Sequence, residues 1–242
     1  MIGVFGFGRF GKLMVRYLAD DFPVVVRDAG KKAEQITAAG AKPATIEETA
    51  KQKIVILSVP ISTLEETLHR VRPHLCDDAL VIDVSSVKVL PDRWMAGHLP
   101  AGASYLPTHP MFGPDSAADS LAGRKIVLCP GRIDPWRYDS IKGYLKKKGL
   151  VVIEASPEEH DRDIAVSLAL THFLGRSLSR FGASPRTIDT EGYKRLLHIL
   201  DVVENDTWQL FSDMNRYNPF AEEVREKFRE AMGEVEKKLE EI

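Results

Sequence analysis

The apolar run Ile2-Gly3-Val4-Phe5 leads straight into Gly6-Phe7-Gly8-Arg9-Phe10-Gly11, and no other feature limits the fold as strongly. Three glycines at this spacing fit a turn between a strand and a helix. Gly6 makes the tight turn, Gly8 lets a diphosphate approach the backbone, and Gly11 lets helix and strand pack closely. The helix start adds free N–H groups and the positive end of its dipole. Asp28 follows Gly6 by 22 positions, at the end of a second apolar run. A carboxylate there accepts the ribose hydroxyls of NAD and repels the 2′-phosphate of NADP. Arg27, Lys31 and Lys32 lie close enough to soften that repulsion, so NADP stays possible beside NAD. The residues expected to hold the dinucleotide are Gly6, Phe7, Gly8, Arg9, Phe10, Gly11 and Asp28. Ser58, Val59 and Pro60, small groups after a later apolar run, join them.

The rest of the first part continues the alternation that such a turn begins. Strands are expected at 2–5, 24–27, 54–58, 80–84, 104–106, 125–128 and 151–154. Helical stretches lie around 10–20, 31–39, 46–50, 62–72 and 134–148. Near-continuous apolar strands between helices imply a parallel sheet covered on both faces, a Rossmann-type α/β fold. Ser156-Pro157-Glu158-Glu159 then reads as a capped helix start, after which strand signals stop. Residues 164–178 are apolar nearly all round and predict a buried helix. Helices follow at 190–203 and 206–217. A last one, after Asn218-Pro219, has an apolar stripe of Val224, Phe228, Met232, Val235, Leu239 and Ile242. The chain thus divides into a dinucleotide-binding domain, 1–156, and a helical domain, 157–242. The net charge is +4 in the first and −6 in the second. About 86 residues are few for a self-sufficient domain.

With 28% charged residues and a net charge of −2, the composition is that of an ordinary globular chain and argues against a nucleic-acid binder. No apolar run is long enough to cross a bilayer. The first residues lack the pattern of a secretory leader. Two cysteines are too few for a disulfide framework. The expected location is therefore the cytoplasm. No group of His, Cys and carboxylates shows metal-ligand spacing along the chain, so no metal is expected.

Two further motifs fall at strand ends, on the ligand edge of such a sheet. They are Asp83-Val84-Ser85-Ser86-Val87-Lys88 and Thr108-His109-Pro110-Met111-Phe112-Gly113-Pro114. Pro110 holds His109 in an extended conformation. A histidine beside a nicotinamide suits general-base catalysis of alcohol oxidation, and a hydrogen-bonded structural histidine fits the same residues. His172, inside the apolar helix, reads first as a core histidine with a partner, with a functional histidine as the alternative. His69, His74, His98, His160 and His198 lie in polar contexts without a visible constellation.

Together, GFGRFG, DVSSVK (83–88), THPMFGP (108–114), EEHD (158–161) and LALTHFLGRSL (168–178) resemble the arogenate/prephenate dehydrogenase family of tyrosine biosynthesis. The segments IDTEGYKRLL (188–197), NDTWQLF (205–211) and YNP (217–219) resemble its plant-type arogenate dehydrogenase branch. The resemblance implies oxidative decarboxylation of a small-molecule substrate, arogenate or prephenate, and an obligate homodimer formed through the helical domain. It implies His109 as the base for the ring hydroxyl, Ser86 as a hydrogen-bond partner of that hydroxyl and of His109, and His172 and Thr190 in the substrate pocket. It also implies that Asp206 selects the arogenate ammonium over the prephenate keto group; a plain capping role for Asp206 is the alternative. Leu168 stands where many relatives have Gln, and the slot near Leu200 lacks the Arg of microbial relatives. Arg180, Arg186, Arg195 and Arg216 are then the candidates for the substrate carboxylate. Other two-domain dehydrogenases, such as β-hydroxyacid or imine reductases, would call for a catalytic Lys or acid in the helical domain. A catalytically inactive dinucleotide sensor is the remaining reading.

Overall fold

The computed structural model describes residues 1–241 and divides into two units, Met1–His160 and Asp161–Ile242. The division falls four residues beyond the expected boundary, because the capped helix at Ser156 belongs partly to the first unit. Its capping box is made in full. Ser156 Oγ accepts from Glu159 N at 3.2 Å, and Glu159 Oε2 accepts from Ser156 N at 2.8 Å.

The first unit opens with β1 (Ile2–Phe5), α1 (Arg9–Ala19), β2 (Val24–Arg27), α2 (Ala33–Ala38), β3 (Lys42–Pro43) and α3 (Ile46–Ala50). It continues with β4 (Ile54–Leu57), α4 (Ile61–Val71), β5 (Leu80–Asp83) and α5 (Val89–His98). Next come β6 (Ser104–Pro110), β7 (Lys125–Leu128), α6 (Pro135–Lys147) and β8 (Val151–Glu154), and α7 (Pro157–Ile164) crosses the boundary. The strand order is β3-β2-β1-β4-β5-β6-β7-β8. The order reverses at β1, which puts a crevice for a ligand at the carboxyl ends of β1 and β4.

Side chains alternate across each strand and so feed two cores. Val4, Val26 and Ile56 pack with Val15 of α1 and Ile36 of α2. Phe5, Val55 and Leu57 pack with Leu64 and Leu68 of α4 and Met95 of α5. Each such side chain contributes about 1.5–3 kcal/mol on burial.

Three features depart from the sequence reading. The sheet is not wholly parallel, since β6 and β7 run antiparallel. Strand β6 runs on through His109 to Pro110, four residues past the expected end. Pro107 and Pro110 lack N–H groups and read as strand breakers. The strand tolerates them because residues 104–107 pair with β5 and residues 108–110 with β7, so each half has one ladder. Helix α5 was masked by Pro91, which sits in its first turn, where a missing N–H costs nothing.

The second unit is helical. A π-helical segment, Ala165–Leu170, leads into α8 (Thr171–Phe181), followed by α9 (Glu191–Glu204), α10 (Trp208–Arg216) and α11 (Ala221–Glu240). The run 164–178 is thus not one regular helix, and it is not fully buried: Val166 is 54% exposed. Gly182, with φ of +81°, ends α8. In the α11 stripe Val224 and Phe228 are half-buried, while Met232, Val235 and Leu239 are exposed. Ile242 lies outside the described residues.

Candidate active site

The glycine turn has the geometry a diphosphate needs. Gly6 takes φ of +95°, and a Cβ there would lie 2.0 Å from the Ser58 carbonyl oxygen, so only glycine fits. A Cβ on Gly11 would lie 2.4 Å from the Gly6 carbonyl oxygen. Gly8 differs, since a Cβ there would meet nothing within 4 Å, which leaves its backbone approachable. Helix α1 has neither a side-chain cap nor an acid in its first turn, so its leading amides are available to an anion. These residues fit a dinucleotide.

Asp28 ends β2 and anchors the turn. Its Oδ2 accepts from Phe7 N at 2.7 Å, its Oδ1 from Gly30 N at 2.8 Å, and Lys32 Nζ lies 3.2 Å from Oδ1. Burial works to raise its pKa. The two backbone N–H bonds and Lys32 outweigh that and hold it below the usual carboxylate value. Lys32 also donates to the Phe7 carbonyl at 3.0 Å. A cleft of about 540 Å³ beside Asp28 is lined by Arg27, Lys31, Lys32, Ile36 and Ala44 among others. Arg9 does not point its charge freely at this edge, because it makes a bidentate contact to Asp115 at 2.8 and 2.9 Å. Phe10 meets Phe112 at 6.1 Å between ring centres, which ties the glycine turn to the HPMFGP loop. Ser58 N donates to Phe5 O at 2.7 Å, Val59 packs on the core beside β4, and Pro60 precedes α4.

Next along the sheet edge lies a buried polar cluster. Lys88 and Asp83 are fully buried and form an ion pair. Lys88 Nζ also donates to Thr108 O at 2.5 Å, and Thr108 Oγ1 donates to Asp83 O at 2.7 Å. An unpaired buried charge would be very costly, so each partner requires the other. The pair pins the DVSSVK loop against β6, one residue from His109.

His109 is 6% exposed and His160 is 3% exposed. Their rings join through Nδ1 of His109 and Nε2 of His160 at 2.8 Å. Nε2 of His109 makes no hydrogen bond among the described residues. Burial first, then the neighbouring His160 and the Lys88 cation, push the His109 pKa well below 6.5, so the ring is neutral at pH 7. The expected Ser86–His109 hydrogen bond is not made; Ser86 Oγ is buried and has no hydrogen-bond partner among the described residues. His160 is the residue that sequence reading missed. It lies in the EEHD motif (158–161) that carries the resemblance, but no local spacing links it to a residue 51 positions earlier.

In the helical unit His172 is 2% exposed. Its Nε2 lies 3.6 Å from Asp206 Oδ2, and its Nδ1 is buried with no hydrogen-bond partner among the described residues. Burial lowers its pKa, Asp206 opposes that, and Arg176 reinforces it. Asp206 does not cap α10. Thr207 does, accepting from Leu210 N at 3.1 Å, so the Asp206 carboxylate is left for other contacts. Arg176, one turn after His172, donates to the Asp206 carbonyl and lies over the rings of Trp208 and Phe211 at 5.6 and 6.0 Å. Its Nε is buried with no hydrogen-bond partner among the described residues. Arg180, Arg186, Arg195 and Arg216, the expected carboxylate ligands, are all exposed. Arg176 was overlooked although its i,i+4 spacing from His172 was visible. Thr190 caps α9, accepting from Tyr193 N at 3.2 Å.

Residues 25–154 match the family model described as prephenate dehydrogenase, nucleotide-binding domain. Residues 177–242 match one described as TYRAAT1-like, C-terminal domain. The chain is 31% identical over 233 residues to the "Probable arogenate/prephenate dehydrogenase" of Methanocaldococcus jannaschii, covering 90% of this chain and 52% of that protein. It is 30% identical over 250 residues to the chloroplastic arogenate dehydrogenase 2 of Arabidopsis thaliana, covering 98% and 69%. The chain therefore spans about half the length of the first of these relatives. Among solved structures, prephenate dehydrogenase of A. aeolicus in complex with hydroxyphenyl propionate and NAD+ superposes with a TM-score of 0.77 at 22% identity, covering 98% and 90%. Synechocystis arogenate dehydrogenase gives 0.72 at 19%, covering 99% and 91%. At these identities the likeness is one of fold.

Proposed function

The chain belongs to the prephenate dehydrogenase family, and from that premise we propose that it is an NAD-dependent arogenate dehydrogenase that forms tyrosine by oxidative decarboxylation. The observation that carries this reading is His109: a buried, neutral imidazole whose Nδ1 is engaged by His160 and whose Nε2 is free. Bound NAD supplies the acceptor for the hydride that leaves ring carbon 4 of the substrate. His109 Nε2 takes the proton of the 4-hydroxyl as that carbon becomes a carbonyl. The bond from the ring to its carboxylate then breaks and CO2 departs. The electron pair flows into the ring and makes it aromatic. The former carbonyl oxygen becomes a phenolate and recovers the proton from His109. The proton borrowed at the start is thus returned, and the base is regenerated without solvent.

Ser86 Oγ, buried without a protein partner, is assigned as the second hydrogen-bond partner of the 4-hydroxyl. His172 and Arg176, each with a buried nitrogen that has no hydrogen-bond partner among the described residues, are assigned to the substrate's carboxylates, and Thr190 is assigned to substrate binding. Arogenate is preferred over prephenate because Asp206 is free of a capping role and can pair with the side-chain ammonium. Its neighbour His172 would cancel that charge if protonated, but burial keeps His172 neutral near pH 7. NAD is preferred because the Asp28 carboxylate is held ionised where a 2′-phosphate would sit.

A steady-state matrix of arogenate and prephenate against NAD and NADP tests the reading. The expected outcome is highest kcat/KM for arogenate with NAD. Equal or greater efficiency with prephenate would overturn the substrate assignment, and no turnover with either substrate would overturn the activity.

A further inference from the structure

Three potential metal ligands meet on the surface of the first unit, away from every residue assigned above. Glu65 and His69 lie four residues apart on α4, which puts them on one helix face. His98 is the last residue of α5, a helix that packs against α4. His98 Nε2 and Glu65 Oε1 are 2.8 Å apart, and the rings of His69 and His98 lie 4.2 Å apart, centre to centre. One ligand atom from each of the three residues falls within 4.8 Å of the others. The sequence reading saw no metal spacing because the third ligand lies 29 positions beyond His69 along the chain.

We propose that Glu65, His69 and His98 bind a divalent transition-metal ion of the zinc class, with water completing its shell. Two imidazoles and one carboxylate are a donor set for zinc, nickel, cobalt or copper, and a poor one for magnesium or calcium, which take oxygen ligands. The hydrogen bond between His98 and Glu65 accounts for two of the three groups. It does not account for His69, which converges on the same point yet makes no hydrogen bond among the described residues. A metal would use all three. Both histidines sit in the last turn of their helices, where the carbonyl ends of the helix dipole favour a cation. Ligand atoms of a tetrahedral ion with bonds near 2.0–2.2 Å stand about 3.3–3.6 Å apart, a spacing these exposed side chains reach by rotamer adjustment alone. The ion would staple α4 to α5 at the ends of the helices remote from the glycine turn and His109. Its role is therefore structural, and the reading does not depend on the proposed reaction.

The test uses the full chain without a polyhistidine tag, stripped with a chelator. Calorimetry with Zn2+ and visible absorption with Co2+ should show one equivalent bound. Zn2+ should raise the melting temperature, since a ligand that binds only the native state stabilises it. His69→Ala and His98→Ala should each abolish stoichiometric binding and the melting shift. Glu65→Gln should weaken both, and Mg2+ should have no effect. All three residues are at least partly exposed, so circular dichroism of the variants should match the wild type. No stoichiometric binding, or binding that survives both histidine variants, would overturn the proposal.

Discussion

At the scale of single residues, the pairing of His109 with His160 decides which nitrogen can act. Only one proton sits between Nδ1 of His109 and Nε2 of His160. If His109 is to accept through Nε2, its own proton must be on Nδ1 and be donated to His160, which must then carry its proton on Nδ1. His160 fixes the tautomer as a carboxylate does in a hydrolytic triad, but without a negative charge. It therefore does not raise the basicity of His109; its presence lowers the pKa. The sign for activity follows: the base form persists as pH falls below 6.5 and is lost only through the depressed pKa. His160→Asn should move the acid limb of kcat/KM to higher pH and reduce kcat by about tenfold, less than the roughly 10²–10⁴ that the base itself supplies. An unmoved acid limb would show that His160 does not act on His109. Asp206 carries the proposed choice of substrate. A partly buried charge contact is worth on the order of 1.5–3 kcal/mol, so Asp206→Asn should shift the arogenate-to-prephenate ratio of kcat/KM by roughly 10–100-fold toward prephenate. If both efficiencies fall together, the carboxylate does not read the ammonium.

At the scale of elements, what was legible in the sequence is what local periodicity and turn chemistry control. The strand, glycine turn and helix at residues 2–19 could be read because each residue there serves its own neighbourhood. Gly6 is the clearest case: its positive φ and its 2.0 Å approach to Ser58 O leave no room for a side chain. Gly6→Ala should therefore lower the melting temperature and weaken NAD binding together, measured by thermal denaturation and calorimetry. A variant that binds NAD normally would contradict the assignment of this turn. Strand β6 beyond residue 106 and helix α5 were hidden by prolines, whose missing N–H matters only where a partner strand or helical turn would have used it. Pairings such as His109 with His160, or His69 with His98, depend on which elements the topology brings side by side. No window along the chain displays them.

At the scale of the whole molecule, the small helical unit leaves large apolar side chains in solvent. Phe181 is 81% exposed, Ile188 94%, Trp208 64% and Leu239 70%. Lone exposed apolar residues are ordinary, and we propose that a second copy of this chain covers these. A homodimer formed through this unit is the expected state, and sedimentation equilibrium should give twice the 27.0 kDa chain mass. Leu239→Asp should weaken the dimer without changing the first unit's circular dichroism. A stable, active monomer would refute this.

The proposed oxidation depends above all on His109 as the base that removes the hydroxyl proton. The direct measurement is single-turnover formation of reduced cofactor from arogenate by His109→Asn, with NAD affinity determined in parallel. The rate should fall by about 10²–10⁴ while NAD binds as in the wild type. A rate within a few-fold of the wild type would contradict the central claim.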